Sequence, residues 1–328
     1  MSIIELKNVS QQFDQLSVLN SINLNLDKGE VMGLFGHNGA GKTTTMKMIL
    51  GLLKPSAGTV RVFGEEPAHS NFNHFRYRIG FLPENVSFYQ QLTGLEVLRF
   101  FAKLKKVSLE RCLELLEQVG LTEASSRKVK TYSKGMKQRL GLAQAILTEP
   151  SLLLLDEPTV GLDPIATQEF YQIVDNLKNK GCSIILCSHV LPGVEKHIDK
   201  VAILSKGQLA AYGSVQKLRE QTSLPTKINF SGCFNIEELS NKLNTRITTN
   251  QEGIFSLEVA PNEKLQTVKT LLTQPGIQDL DTFPPNLEQL YYHFVISNQA
   301  NLSQKSSNGE IPSTTGDKIR LLRKGEKS

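Results

Sequence analysis

The hydrophobic pattern of the chain changes from alternating to continuous within its first forty residues. Residues 3–9 and 18–26 alternate apolar and polar side chains, which predicts antiparallel strands with one buried face. Shorter and mostly apolar runs predict further strands at 31–35, 59–63, 78–82, 152–155, 183–187 and 200–204. Because helical segments separate the later strands, we predict an α/β fold with a mostly parallel sheet covered by helices.

A block of helix-forming residues interrupts this alternation between about residues 86 and 150. Apolar side chains recur within it at the spacing of one helix face. They are Leu95, Leu98, Phe101 and Ala102, and then Cys112, Leu115, Leu116 and Val119. The block therefore predicts a helical subdomain inserted into the main domain.

A change of composition near residues 221–225 predicts a boundary between a main domain, 1–220, and a small α+β domain, 225–296. Its elements are predicted as strands at 227–230, 246–249, 254–259 and 277–283, and helices at 236–243, 262–272 and 286–296. Without the last helix, their order is the β-α-β-β-α-β order of a ferredoxin-like unit. Residues 298–328 are rich in Ser, Asn, Gly and Thr, which predicts a disordered tail.

The composition is that of an ordinary globular protein, with 39% hydrophobic and 21% charged residues among 328. No apolar run approaches the ~20 residues of a membrane-spanning helix, and no signal peptide is apparent, so we expect a cytosolic protein. A net charge of +5 does not require a nucleic-acid partner. Four scattered cysteines without a CxxC pair indicate neither a disulfide framework nor a zinc site.

A glycine-rich loop follows the apolar run 31–35 and precedes a predicted helix at 42–53. Its pattern, G-x-x-x-x-G-K-[ST], is typical of loops that bind the phosphates of a nucleotide. Glycines let the backbone approach phosphate oxygens, Lys42 supplies a positive charge, and Thr43 supplies a hydroxyl for Mg²⁺. The predicted ATP-binding residues here are Gly36, His37, Asn38, Gly39, Ala40, Gly41, Lys42, Thr43 and Thr44.

Two adjacent carboxylates, Asp156 and Glu157, follow the four leucines 152–155. Such a run suits a strand buried on both faces, and ligands of α/β sheets bind at the carboxyl ends of strands. We therefore expect Asp156 to hold Mg²⁺ and Glu157 to polarise the water that attacks ATP.

With these motifs, residues 132–139 resemble the signature segment of the nucleotide-binding subunits of ABC transporters, and the resemblance covers residues 1 to about 220. It implies a P-loop NTPase core with a mixed sheet, an antiparallel β subdomain and the inserted helical subdomain. It also implies a homodimer with two ATPs between its subunits. Ser133 and the Gly135 N–H of one chain would then contact the γ-phosphate held by the other chain.

The resemblance implies roles for four more residues. Phe13 would stack on adenine, Asp163 would align the two halves of the dimer, and His189 would contact the γ-phosphate as a catalytic residue together with Glu157 and Lys42. Glu84 stands where most members of the family have glutamine. An ionised glutamate can still reach Mg²⁺ but cannot donate a hydrogen bond, so Glu84 is either a metal ligand with altered sensing or a tolerated variant.

Residues 80–89 and 132–136 narrow the resemblance to the ATPase subunit of Nos-type exporters, which serve the copper-dependent maturation of nitrous oxide reductase. That implies a permease dimer in the inner membrane as partner, and a periplasmic maturation protein reached through the permease. The ATPase would lie on the cytoplasmic face of that membrane. Alternatives are the ATPase of a drug, lipid or peptide exporter, a regulatory ATP-binding module, and an ABC ATPase that acts on nucleic acid or ribosomes. A single P-loop and the lack of sustained heptads or a basic stripe disfavour the last of these.

Overall fold

The computed structural model describes residues 2–68, 72, 74–249 and 253–308, with side chains described up to residue 297. Thirteen strands and nine α-helices form its regular elements in these ranges. The strands are β1 Ser2–Phe13, β2 Leu16–Asp27, β3 Val31–Phe35, β4 Ala57–Val62, β5 Ile79–Leu82, β6 Leu152–Asp156, β7 Ser183–Ser188, β8 Lys200–Ser205, β9 Gln208–Gly213, β10 Thr226–Gly232, β11 Thr248–Thr249, β12 Phe255–Val259 and β13 Ile277–Phe283. The helices are α1 Lys42–Ile49, α2 Gly94–Lys105, α3 Leu109–Gln118, α4 Lys134–Ala145, α5 Pro164–Asn179, α6 Val215–Glu220, α7 Ile236–Leu243, α8 Lys264–Leu272 and α9 Leu287–Asn308.

The central sheet has the order β5-β6-β7-β3-β8-β9, and all its pairs are parallel except β8 with β9. Leucines 152–155 of β6 are completely buried, as expected for a strand covered on both faces. A second sheet, β2-β1-β4, is antiparallel and packs with α1 against one face of the central sheet. The predicted mixed sheet and antiparallel β subdomain are therefore confirmed.

The other face of the central sheet packs with α2 to α6, so the inserted helical block shares its apolar core with the main domain. Tyr132 joins the block's helices, because its buried hydroxyl donates to the Ala124 carbonyl at 2.6 Å. The helix leaving the glycine-rich loop was predicted over 42–53 but ends at Ile49, where Gly51 adopts a left-handed backbone with φ of 70°. Strand β9 and helix α6 were not predicted.

The small domain forms an antiparallel sheet with the order β11-β12-β10-β13. Helices α7 and α8 pack on one face of that sheet around a separate core that includes Ile228, Phe230, Leu239, Leu257 and Leu271. This order of strands, with two crossover helices, is that of the predicted ferredoxin-like unit.

Helix α9 differs from its prediction in length and in placement. It runs through residues 298–308, where irregular chain was expected, and the remainder of the predicted tail, 309–328, lies outside the described residues. The sequence assigned α9 to the small domain. Its residues Leu287 and Leu290 are instead buried in the core of the main domain, together with Leu218. The small domain is therefore inserted between α6 and α9, both of which pack on the main core.

None of the helices in the described part of the chain combines the length and the apolarity needed to cross a membrane.

The placement of α9 can be tested by hydrogen exchange. We expect Leu290→Ala to cost about 2–5 kcal/mol, as for other buried leucines, and to speed amide exchange in β8 and β9. Leu239→Ala, at a completely buried position of the small domain, should instead speed exchange in β10 and β12. Faster exchange in β10 and β12 but not in β8 for Leu290→Ala would contradict the packing of α9 on the main core.

Candidate nucleotide-binding and catalytic site

The loop between β3 and α1 takes its shape from glycines that no larger residue could replace. Gly41 has a φ of 109°, and a Cβ there would lie 2.3 Å from the Leu19 Cδ2 atom. A Cβ on Gly36 would lie 2.6 Å from the Leu204 carbonyl oxygen. The loop is thus pressed against β2 and β8, and the N-terminus of α1 opens on the cavity beside it. First-turn N–H groups have no partner within a helix, so this end suits an anion.

The loop and the ends of β6 and β7 surround one cavity of about 210 Å³. Its lining residues are Val18, His37, Asn38, Gly39, Gly41, Lys42, Thr43, Thr44, Glu84, Asp156, Glu157 and His189. Most of the residues predicted to bind ATP within one chain therefore converge. Val18 was missed, because a valine at the start of an alternating strand carries no signal of its own.

Lys42 is buried at the floor of this cavity with only 7% of its surface exposed. Its ammonium donates to the Gly36 carbonyl at 2.6 Å and lies 3.9 Å from Glu157 Oε1. A buried ammonium requires such partners, and phosphate oxygens can replace them with stronger charge-assisted bonds.

Asp156 lies at the end of β6 and is exposed by only 6%. Burial raises the pKa of its carboxyl, the neighbouring Glu157 and Glu84 raise it further, and Lys42 and Thr43 oppose the rise. The Thr43 hydroxyl donates to Asp156 Oδ2 at 3.5 Å. A cation would relieve the repulsion among these carboxylates.

Glu157 connects the carboxyl ends of β6 and β7. Its N–H donates to the Cys187 carbonyl at 2.9 Å, and its Oε2 lies 2.8 Å from His189 Nδ1 and accepts from the His189 N–H at 3.2 Å. Its φ of 49° is left-handed, a conformation that costs a non-glycine residue roughly 1–2 kcal/mol. The two strand ends therefore hold its carboxylate in one place beside Lys42.

The three residues predicted to act between the subunits of a dimer, Ser133, Gly135 and Asp163, lie outside this cavity and near one another. Ser133 caps α4 and accepts from the Met136 N–H at 3.2 Å, whereas Asp163 caps α5 and accepts from the Ala166 N–H at 2.8 Å. A Cβ on Gly135 would lie 3.1 Å from Leu162, so the two segments are in contact. Ser133 and Asp163 are exposed, which leaves them accessible to another molecule.

Three other predicted residues are not among those that line the cavity, although one of them, Gly36, accepts from the Lys42 ammonium through its carbonyl. Phe13 is 44% exposed and lies at the turn between β1 and β2, outside the residues that line the cavity. Ala40 is completely buried behind the loop, where it packs with the core beneath α1.

Comparison with known proteins agrees with this geometry. Residues 19–160 match the family model described as ABC transporter. The uncharacterized ABC transporter ATP-binding protein YdbJ of Bacillus subtilis is 36% identical over 289 residues, which cover 86% of this chain and 90% of that protein. The bacitracin transport ATP-binding protein BcrA of Enterococcus faecalis is 40% identical over 231 residues, which cover 70% of this chain and 75% of that protein.

Two solved structures show the same fold. An ATP-binding subunit of an ABC transporter, 34% identical, superposes with a TM-score of 0.62 over 67% of this chain and 92% of its own. A dimeric bacterial ABC transporter cassette, 25% identical, superposes with a TM-score of 0.60 over 65% of this chain and 98% of its own. With a phosphate-binding loop, paired carboxylates and a histidine around one cavity, the chain belongs to the ABC transporter family, as one of its ATP-hydrolysing, ATP-binding subunits.

Proposed function

We propose that this chain is the energy-coupling ATPase of a membrane exporter, acting as a homodimer on the cytoplasmic face of the membrane. The observation that carries the proposal is the convergence of Lys42, Glu157 and His189 on one cavity beneath a phosphate-binding loop. Hydrolysis of ATP there would be used to change the conformation of a membrane partner.

In the proposed reaction, a water attacks the γ-phosphorus in line with the leaving oxygen. The Glu157 carboxylate orients and polarises that water, and its position is fixed by the contacts with His189 and the β7 end. Lys42 and the N–H groups at the start of α1 stabilise the phosphate charge, and His189 contacts the γ-phosphoryl group.

The donor set in the cavity fits Mg²⁺. The Thr43 hydroxyl and the carboxylates of Asp156 and Glu84 are oxygen donors, which this cation prefers. In the described residues no group of three or more His, Cys, Asp or Glu side chains could hold a metal alone, and phosphate oxygens and water would complete the coordination. Bound there, Mg²⁺ would neutralise charge on the β- and γ-phosphates. Glu84 lines the same cavity as Thr43 and Asp156, which supports a place for it beside the metal.

The homodimer accounts for the exposed signature segment. Ser133 and Gly135 lie at the N-terminus of α4, outside the cavity of their own chain, where a partner's γ-phosphate would meet helix N–H groups. Leu162, the residue before Asp163, contacts Gly135 in the same region. The dimeric cassette that shares this fold supports the arrangement. ATP would hold the two chains together, and its hydrolysis would release them.

The permease would dock beside Glu84. A hollow of about 310 Å³ there is lined by Ser87, Phe88, Tyr89, Leu92, Val97, Phe100 and Phe101. Tyr89 is 76% exposed, and an exposed aromatic at the rim of an apolar hollow is typical of an interaction site. Because the hollow follows Glu84 directly in the chain, movement of the permease would be transmitted to the ATP site.

Two cargo assignments compete. The segments 80–89 and 132–136 favour a Nos-type copper system with a periplasmic maturation protein. A relative named for bacitracin transport, 40% identical, favours the export of an antibiotic or a related amphipathic compound. We favour the second assignment, because the similarity to that relative extends over 70% of the chain rather than over short segments.

The hydrolytic role is tested with Glu157→Gln. We expect the turnover number to fall about 10²–10⁴-fold, as when a general base is removed, while binding of ATP persists because Lys42 and the loop are unchanged. Glu220→Gln, at an exposed position on α6, is the matched control and should behave as wild type. Turnover at the wild-type rate in Glu157→Gln would remove Glu157 from the reaction.

The partner is tested by purifying Glu157→Gln with Mg-ATP from detergent-solubilised native membranes and identifying the proteins that accompany it. A permease should co-purify with Glu157→Gln, and adding Tyr89→Ala should abolish its recovery. Leu52→Ala, which replaces an exposed side chain elsewhere on the surface, should leave the recovery unchanged. A periplasmic copper-site protein in the complex would favour the Nos-type assignment. Ribosomal proteins without a permease would contradict the exporter function.

The charge balance of the metal site is tested with Asp156→Asn. The pKa of Asp156 in the folded protein lies above its ordinary value of 3.8, so ionisation of this carboxyl destabilises the folded state. The free energy of unfolding therefore falls as the pH rises from about 3.8 through the folded-state pKa. At neutral pH and without nucleotide, Asp156→Asn should therefore raise the urea midpoint of unfolding while it abolishes Mg-ATP binding. Asp199→Asn should lower the midpoint, because Asp199 binds Lys178 at 2.6 Å and accepts from the Val31 N–H at 2.9 Å.

A further inference from the structure

The segment that carries His189 is fixed at several points before it reaches β8. Ser188 Oγ accepts from the Val190 N–H at 2.9 Å and donates to the Val190 carbonyl at 3.1 Å. Leu191 and Val194 are buried in the main core, and a 3-10 turn then covers Val194–His197. The position of His189 therefore depends on what holds this turn.

Glu195, within that turn, joins three elements through one carboxylate. Oε1 forms an ion pair with the Arg219 guanidinium of α6, and Oε2 accepts from the Leu287 N–H of α9 at 3.1 Å. Arg219 also donates from Nε to the Pro285 carbonyl at 2.8 Å. A carboxylate at the N-terminus of a long helix is further stabilised by the helix dipole.

These contacts lie where the chain enters and leaves the small domain. Arg219 is near the end of α6, which precedes β10, and Leu287 begins α9, which follows β13. The start of α9 is itself well defined, since Asn286 and Gln289 exchange side-chain and backbone hydrogen bonds at 2.9 Å in both directions. Through Arg219 and Leu287, Glu195 therefore contacts both helices that connect the small domain to the main domain.

Helix α9 continues from this junction toward the phosphate-binding loop. Leu290 is completely buried, and Tyr291 packs against the same core. Burial raises the pKa of the Tyr291 hydroxyl, and a hydrogen bond with the His37 backbone opposes the rise. Helix α9 therefore contacts the segment that carries His189 through Leu287 and passes near the phosphate-binding loop at Tyr291.

We propose that Glu195 is a positioning residue for ATP hydrolysis, which ties the segment carrying His189 to α6 and α9 and so makes the orientation of His189 depend on the seating of the small domain. The proposal rests on the proposed contact of His189 with the γ-phosphate. It assigns to the small domain a role in setting the rate of hydrolysis rather than the affinity for ATP.

Kinetics of the full-length protein separate this role from a merely structural one. We expect Glu195→Ala to lower kcat by about tenfold or more, since small misplacements of a reacting group are costly, and to leave KM for ATP within about twofold. Glu195→Gln keeps an acceptor for the Leu287 N–H and should fall between Ala and wild type. Lys196→Ala, at an exposed position of the same turn, should match wild type.

A double-mutant cycle with His189→Ala gives the decisive readout. If Glu195 acts through His189, adding Glu195→Ala to His189→Ala lowers kcat no further. If the two losses multiply instead, Glu195 has only a structural role and the proposal is wrong. If Glu195→Ala fails to fold, Glu195→Gln takes its place in the cycle.

The outcomes also separate this inference from the proposed function. Wild-type kcat in His189→Ala would remove the proposed role of His189 and this inference with it. A lowered kcat in His189→Ala with a normal kcat in both Glu195 variants would overturn the inference alone.

Discussion

The parallel pairing of β6, β7 and β3 is the constraint on which the site depends. Because the three strands run in one direction and stay in register, their following loops meet at one edge of the sheet. Asp156 is paired with Cys187 at the end of the β6–β7 ladder, and Glu157, which directly follows β6, meets His189, which directly follows β7. Lys42 stands at the end of the glycine loop that follows β3. Its ammonium therefore lies on the same edge of the sheet as the Glu157 carboxylate. A shift of one residue in this register would separate the groups that the reaction needs.

The same edge concentrates negative charge at some expense to stability. Glu84, Asp156 and Glu157 line a cavity whose one buried ammonium among the described lining residues is Lys42, and burial together with the repulsion from Glu157 and Glu84 raises the pKa of Asp156. The left-handed backbone of Glu157 adds strain that the contacts with β7 sustain. The four completely buried leucines 152–155 anchor the strand that carries these carboxylates. A bound cation with a nucleotide would convert the repulsion into binding energy.

The sequence predicts the parts of this site whose chemistry is local. The glycine loop, the leucine run with its two carboxylates and the ferredoxin-like order of the small domain are each encoded within one short segment. Val18 and Glu195 could not be recognised, because their importance arises from contacts with residues far away in the chain. The two prolines 284–285 mark the start of α9, but nothing in its composition indicates that Leu290 packs on the main core. Apolar spacing predicts that a helix face is buried and does not identify the surface that buries it.

The packing of α9 on the main core means that the small domain is connected to the main domain at both of its ends. A domain appended at the end of a chain has one connection to its neighbour and can move with little consequence. Here two connections, through α6 and α9, meet at the Glu195 carboxylate, and both helices share the main core. A movement of either connecting helix would therefore strain the Glu195 contacts or shift the turn that follows His189. Tyr291 of α9 also lies near the His37 backbone of the phosphate-binding loop. The small domain is thus connected at both ends to helices that hold the turn after His189, although none of its described strands lines the ATP cavity.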